Sequence, residues 1–219
     1  MQVKFVVILL LFFSLAPIAK EETMSWNASR KLTWADFKAT PDTTSDAVAL
    51  TASGITFGYS VKTAGRKITD FTTTVEAHFY PNKSWCFKAK SNNYILAHEQ
   101  LHFDITELYA RMFRAQLTKL VVNQNVKAQM QRLHQKINTA VNETQKRYDM
   151  QSNHSINTKV QKEWEIFIAE EIASFLGELD CLSFSINVMS KAEDDINLLT
   201  ISFERSSELS KFSFRYKCI

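Results

Sequence analysis

Two histidines and a glutamate lie close together in the stretch ILAHEQLHFDITELYARMF, at His98, Glu99 and His102. Residues four apart on an α-helix point in nearly the same direction, one turn apart. His98 and His102 can therefore bring two imidazoles to one metal ion, and this His-Glu-x-x-His spacing is typical of Zn²⁺ sites. Glu99 lies beside the pair, in position to take a proton from an attacking water. The motif predicts zinc-assisted hydrolysis with Glu99 as the general base.

A hydrolytic zinc site needs a third protein ligand and an open position. Our candidate is His154, because it lies in a predicted break between helices, where the chain can bend back toward the motif. Glu170 or Glu171 on the next predicted helix is the alternative. His78, on the polar face of a strand, and His134, on a polar helix, are interpreted as ordinary surface histidines.

The spacing of the apolar residues predicts the helix that positions the histidines and the glutamate. From about Asn92 the apolar residues recur at helical spacing, and the two histidines fall at the edge of that stripe. The stripe consists of Leu101, Ile105, Leu108 and Met112. Asp104 points away from the ligand pair and is excluded as a ligand. Glu107, Arg111 and Arg114 are expected on the opposite, solvated side.

The rest of the chain predicts an α+β fold. Residues 20–90 are rich in β-forming residues, with a hairpin turn at Lys62–Lys67. Helical patterns follow at about 127–146 and 158–179, separated by a break at 147–157. From Cys181 the pattern alternates again. We expect an N-terminal sheet packed on a helical half that carries the motif, in a domain of residues 20–180, with a small β extension at 181–219.

The N-terminus has the pattern of a secretory signal peptide. A short charged start precedes the apolar run FVVILLLFFSLA, and small residues follow. We predict a signal peptide over residues 1–19, cleaved after Ala19 or, alternatively, after Ala16. An uncleaved anchor is the other interpretation. The mature protein is therefore expected to be secreted or periplasmic, without stable membrane insertion.

The net charge bears on which partners are expected, and the number of cysteines bears on which disulfide is expected. The net charge of +3 and the absence of a basic block argue against a nucleic-acid partner. Three cysteines in an exported chain permit one disulfide. We predict that Cys181 pairs with Cys218 and leaves Cys86 as the spare thiol; the alternative joins Cys86 to Cys181.

The stretch LAHEQLHFDITELYARMFR, followed by YDMQSNHSINTKVQKEW, resembles the DUF922 family of predicted secreted bacterial zinc-dependent proteases. The resemblance covers roughly residues 32–171. The family pattern is H-E-Q-x-H-F-D, then Y-D-x-x-T-x-H-G, then Q-x-x-W. Ser152 stands here in place of the threonine, and Ser155 in place of the glycine. The resemblance implies a zinc-dependent protease, and His154 matches its later histidine.

Two further residues of the second motif are candidates for chemistry. Tyr148 could donate its hydroxyl to the oxyanion that forms at an attacked carbonyl, and Asp149 could orient a ligand imidazole. A core aromatic and a helix-capping aspartate are the plainer interpretations. We therefore expect a zinc metallopeptidase that acts on a peptide or protein. The alternatives are an amidase that acts on cell-wall peptides, and a non-catalytic exported binding protein with a structural or vestigial zinc site.

Overall fold

The computed structural model describes the secondary structure of residues 21–185 and the side-chain surroundings up to residue 175. It contains the short strands β1 (Met24–Ser25), β2 (Ala49–Leu50) and β5 (Trp85–Cys86), the long strands β3 (Ser53–Ala64) and β4 (Lys67–Phe79), and the helices α1 (Asn93–Leu117), α2 (Val126–Ser152) and α3 (Thr158–Ser185). This N-terminal β part followed by a helical part confirms the predicted α+β class.

The sheet is built on one long hairpin. Strands β3 and β4 pair antiparallel from Ser53 opposite Phe79 to Ala64 opposite Lys67. The turn between them uses Gly65, whose φ of +59° is in the region that glycine adopts without steric cost. Strand β1 adds to the other side of β4, giving the order β1-β4-β3, and β2 pairs separately with β5.

The central helix is α1, which contacts both other helices, the hairpin and β2. It begins at Asn92, whose side-chain oxygen accepts a hydrogen bond from the backbone N–H of Ile95 at 2.9 Å. Alternate residues of β4 point toward this helix; Val75, Ala77 and Phe79 are all buried. Packing between the β4 face and α1 therefore places the motif helix in the interior of the protein.

Glu107 corrects one expectation about α1. It was expected in solvent, but it is buried at 4% exposure. Its carboxylate accepts hydrogen bonds from Arg111 at 2.8 Å and from Arg114 at 3.2 Å. The same arginines donate to the carbonyls of Ile172 and Val75. Because the carboxylate is paired on two sides, it can be buried, and the two arginines tie α1 to α3 and to the sheet.

Helix α2 is longer than predicted, since it continues through Ser152. The predicted break at 147–157 is therefore reduced to a short turn, and Tyr148 lies on the buried face of the helix. Asn153, His154 and Ser155 all have positive φ, at 48°, 49° and 70°. These residues end α2 and reverse the chain into α3.

Helix α3 also exceeds its predicted end and continues through Ser185. Residues 181–185, which we predicted to begin a β extension, are helical instead; the remainder of that prediction lies outside the described residues, as does the signal peptide. Within residues 21–185, no helix is long and apolar enough to cross a membrane. Cys86 is a buried free thiol, and the predicted Cys181–Cys218 pair lies outside the described side chains.

Candidate metal centre

Three side chains meet at one point between α1 and α2. The Nε2 atoms of His98 and His102 are 3.3 Å apart. The Oδ1 atom of Asp149 is 3.2 Å from the first and 3.0 Å from the second. The i,i+4 spacing on α1 directs both imidazoles to the same side, and α2 brings the carboxylate in from the opposite helix.

This triangle has the dimensions of a metal site. Three ligand atoms at about 2.1 Å from a tetrahedral Zn²⁺ lie about 3.4 Å from one another. The observed separations of 3.0–3.3 Å are slightly shorter. Within residues 21–175 the group has only these three members, so a tetrahedral ion bound there would keep one position open. His98, His102 and Asp149 therefore could hold a metal ion, and their separations are close to those of three zinc ligands.

The electrostatics of the group favour a cation. Burial by itself would raise the pKa of the Asp149 carboxyl, but the hydrogen bonds and charges of His102 and His98 outweigh burial and hold that pKa well below its usual range. Burial by itself would lower the pKa of His102, but the Asp149 hydrogen bond and the nearby carboxylate charges raise it. Asp149 is therefore ionised, and the group attracts positive charge, whether a proton or a metal ion.

Glu99 lies beside this group with an unusual combination of burial and charge. The residue is only 5% exposed, and its negative charge acts on His102. Its side chain has no ion-pair or hydrogen-bond partner among the described residues. The carboxylate oxygens are not among the fully buried atoms that lack a hydrogen-bond partner, so the carboxylate reaches solvent beside the metal group and can accept a proton there.

Tyr148 packs directly on the metal group. Its ring lies 4.5 Å from that of His98 in a stacked arrangement and 5.5 Å from that of Trp164. Its hydroxyl is buried and has no hydrogen-bond partner in the part of the chain that the structure describes. Burial first, and then the charge of Glu165, raises the pKa of Tyr148 far above its usual value. The hydroxyl therefore stays protonated and remains a potential hydrogen-bond donor.

Packing against Tyr148 helps to orient the His98 imidazole, whereas in most metal sites a hydrogen bond to the second ring nitrogen does so. The second ring nitrogen of a metal-binding histidine usually donates to a neighbouring oxygen. The Nδ1 atom of His98 is buried and has no such partner among the described residues. The orientation of this imidazole therefore depends on the contacts of its Nε2 atom with Asp149 and His102 and on packing against Tyr148.

The backbone beneath His102 is fixed by three elements. The carbonyl of His102 accepts hydrogen bonds from the Thr106 hydroxyl on α1 at 3.0 Å and from Gln145 on α2 at 3.2 Å. Thr106 also bonds Ser53 of β3 at 2.7 Å. One turn earlier, the Thr51 hydroxyl donates to the Glu99 carbonyl at 3.1 Å. Polar contacts from the sheet and from α2 thus hold the motif turn in place.

The structure does not bring the other histidines to this group. His154 is exposed in the turn after α2, where its backbone N–H donates to the Asp149 carbonyl at 2.9 Å. His134 stacks on Phe113 and bonds Asn138. His78 is not the surface residue we expected; it is buried and lies 3.2 Å from the Glu76 carboxylate. Within the described residues, the metal group includes neither Glu170 nor Glu171.

Asp104, excluded as a ligand from its direction on the helix, is engaged elsewhere. Its carboxylate accepts hydrogen bonds from the Trp26 indole at 2.7 Å and from Gln100 at 2.8 Å, and Lys31 pairs with it at 3.2 Å. Asp104 therefore ties the N-terminal segment to α1, away from the metal group.

Sequence reasoning considered Asp149 as a partner of a ligand but not as a ligand. The predicted helix was ended at residue 146, which placed Asp149 in a loop. The signal for a longer helix was present, because buried Ile137, Val141, Thr144 and Tyr148 recur at helical spacing. Continuing that pattern places Asp149 at the edge of the buried face.

The fold and the site together define an α+β protein with a candidate three-ligand metal centre. The chain belongs to the DUF922 family, whose model, described as a bacterial protein of unknown function, matches residues 26–155. That range covers strands β2 to β5, helices α1 and α2, and all three members of the metal group. No curated protein and no solved structure matches the chain.

Proposed function

We propose that this protein is a zinc-dependent hydrolase, most simply a metallopeptidase. The observation that carries the proposal is the three-atom group of His98, His102 and Asp149 with the unpaired carboxylate of Glu99 beside it. A closed structural site would have a fourth protein ligand, and the described residues supply none. A salt-bridged Glu99 would also have favoured a structural role, and the carboxylate has no such bridge among the described residues.

The roles of the residues follow from their chemistry. His98, His102 and Asp149 would hold the ion. A bound zinc ion supplies a Lewis acid that polarises a carbonyl and makes water a nucleophile near neutral pH. Glu99 accepts the proton of the attacking water and delivers it to the leaving amine. Tyr148 keeps His98 in position, and its protonated hydroxyl is the candidate donor to the oxyanion.

The substrate class and location rest on the sequence. Peptide-bond hydrolysis is supported by the resemblance of both motifs to predicted secreted zinc proteases. The same groups would also serve an amidase that acts on cell-wall peptides. The apolar N-terminal run supports export, and hence a peptide or protein substrate outside the cytosol. Identity of the metal as zinc is supported by the two imidazoles and one carboxylate, a ligand set typical of catalytic zinc.

The proposal is tested with the purified mature protein and its Glu99→Gln variant. Metal analysis should find one zinc per chain in both proteins. Wild type should digest casein, lose this activity with a chelator and regain it with zinc. Glu99→Gln should lose activity by a factor of about 100 or more, because an amide cannot accept the proton.

A matched control is Glu163→Gln, which changes a half-exposed carboxylate paired only weakly with Lys159 at 4.0 Å. It should retain both zinc and activity. Zinc bound at one per chain without hydrolysis of casein or of cell-wall peptides would instead support the non-catalytic binding protein. Unchanged turnover in Glu99→Gln would place the catalytic base elsewhere.

A further inference from the structure

A second concave region lies away from the metal group. It has a volume of about 650 Å³ and is formed by the segments 34–41 and 86–90. That volume is within the range of small-molecule sites. Backbone hydrogen bonds hold both segments, from Ala39 N to the Ser84 carbonyl and from Phe87 N to the Val48 carbonyl, each at 2.9 Å. The cavity therefore belongs to the folded frame, and no member of the metal group lines it.

Much of the wall of this cavity is apolar. Trp34, Phe37, Pro41 and Phe87 all line it. The rings of Trp34 and Phe37 lie 5.0 Å apart, and Phe37 in turn packs edge-on against Phe79 at 5.2 Å. This contact anchors part of the wall in the protein core. Such a surface suits the apolar body of a ligand.

The charged groups of the cavity are of one sign. Lys38, Lys88 and Lys90 line it, and no carboxylate of the described residues does. Lys38 pairs with Glu22 at the surface, and Lys90 lies 5.5 Å from the ring of Phe87. Lys88 has no ion-pair partner among the described residues. The cavity therefore presents positive charge that is only partly compensated, above an apolar wall.

Trp34 adds an unused hydrogen-bond donor. Its buried indole Nε1–H has no hydrogen-bond partner among the described residues. A buried donor without an acceptor is unfavourable, so a ligand that supplied an acceptor would be favoured.

We propose that this cavity binds a small carboxylate attached to an apolar body. The lysines would receive the carboxylate, and the aromatic wall would cover the rest. A carboxylate fits better than a phosphate, because the described residues of the lining include no arginine for bidentate pairing. Free organic acids and peptide C-termini share this chemistry. The proposal does not depend on hydrolysis, so its failure and the failure of the proposed function are distinguishable.

The test compares N-acetylphenylalanine with its neutral amide, which differ chiefly in charge. Binding is followed by NMR through the indole N–H signal of Trp34, assigned with Trp34→Phe, in the protein as isolated. The acid should shift this signal with a Kd on the order of 1 mM, as expected for a ligand of this size. The amide should bind at least about threefold more weakly, since exposed charge pairs contribute modestly.

Substitution of the lysines shows whether the acid binds in this cavity. Lys88→Gln/Lys90→Gln should weaken binding of the acid roughly threefold to tenfold. The control Lys127→Gln/Lys136→Gln, on the exposed face of α2, should leave it within about twofold. Comparable binding of 3-phenylpropionate would identify free acids as the source, and binding of N-acetylphenylalanine alone would identify peptide C-termini. Equal affinity for acid and amide, or unchanged affinity in the Lys88/Lys90 variant, would overturn the proposal.

Discussion

The ring of Tyr148 lies stacked on the ring of His98, with centroids 4.5 Å apart and planes inclined by 26°. Among the described residues the Nδ1 atom of His98 has no hydrogen-bond partner, so this contact restrains the side of the imidazole that Asp149 and His102 do not reach. Two proposed roles for Tyr148 can therefore be separated: the ring would orient a metal ligand, and the hydroxyl would donate to the substrate.

Substitution of Tyr148 distinguishes these roles. Tyr148→Phe keeps the ring and should retain zinc affinity; kcat should fall about 10- to 100-fold if the hydroxyl stabilises the oxyanion. Tyr148→Ala removes the ring and should weaken zinc binding about 10-fold or more. Zinc affinity is measured by competition with a chelator, and kcat with a peptide substrate. Full kcat in Tyr148→Phe would limit Tyr148 to the packing role.

The third ligand can be decided by comparing Asp149→Ala with His154→Ala. The geometry favours Asp149, so its removal should weaken zinc binding by more than the roughly 10- to 100-fold typical of outer-shell residues. His154→Ala should keep most of the affinity, since its side chain is exposed in the turn. Asp104→Asn is the matched control, because Asp104 bonds Trp26 rather than the metal group. The opposite ranking, with zinc lost only in His154→Ala, would restore His154 as the third ligand.

The parts of the fold and the site that could be predicted from the sequence are those that depend on local periodicity. The helix that carries the motif, the direction of its histidines and the hairpin turn near Gly65 all follow from spacing and turn residues. The third metal-group residue could not be predicted in this way, because it depends on how α2 docks against α1. The burial of Glu107 was missed for a related reason. A charged residue is expected in solvent unless its partners are known, and here they tie α1 to α3 and β4.

Ser155 offers a test of backbone strain. Its φ of 70° is a conformation that glycine adopts more easily. Ser155→Gly should therefore stabilise the protein by about 0.5–1 kcal/mol, since a left-handed residue other than glycine costs about 1–2 kcal/mol and part of the gain is lost to the freer unfolded chain. Urea unfolding measures the change. Ser174→Gly, on an exposed site of α3, should have the opposite sign, and destabilisation by Ser155→Gly would contradict the expectation.

The Glu107 network should contribute strongly to stability. Glu107→Ala leaves Arg111 and Arg114 without their common carboxylate partner and should cost about 3 kcal/mol, as for other broken buried ion pairs. The unfolding midpoint in urea is the measurement. Glu163→Ala, at an exposed helical pair, should change the free energy of unfolding by less than about 0.5 kcal/mol. Comparable effects of the two substitutions would show that burial adds nothing at residue 107.

Asp36 should make stability depend on pH in the acid range. Burial alone would raise the pKa of its carboxyl, but hydrogen bonds from Arg30 and Thr33 lower it. Its stabilising contribution is therefore complete above the unfolded-state pKa of about 3.9 and is lost as pH falls through the lower folded-state pKa. Asp36→Asn should cost about 1–2 kcal/mol at neutral pH.

The difference between wild type and Asp36→Asn should shrink in urea titrations carried out at about pH 3 or below. Asp46→Asn, at an exposed position, should have little effect at either pH. A difference between wild type and Asp36→Asn that stayed constant with pH would exclude the carboxylate charge as its source.

The metal site can form only after the residues that hold His102 and the residue that completes the metal group have all been synthesised. Its carbonyl is held by Thr106 and Gln145, and Thr106 is held in turn by Ser53. Asp149 follows all of these residues in the chain. A polypeptide still emerging from the ribosome therefore has the histidine pair but neither the carboxylate nor the helix that carries it. Binding of a metal ion by all three residues therefore has to wait until α2 has been made and has packed against α1.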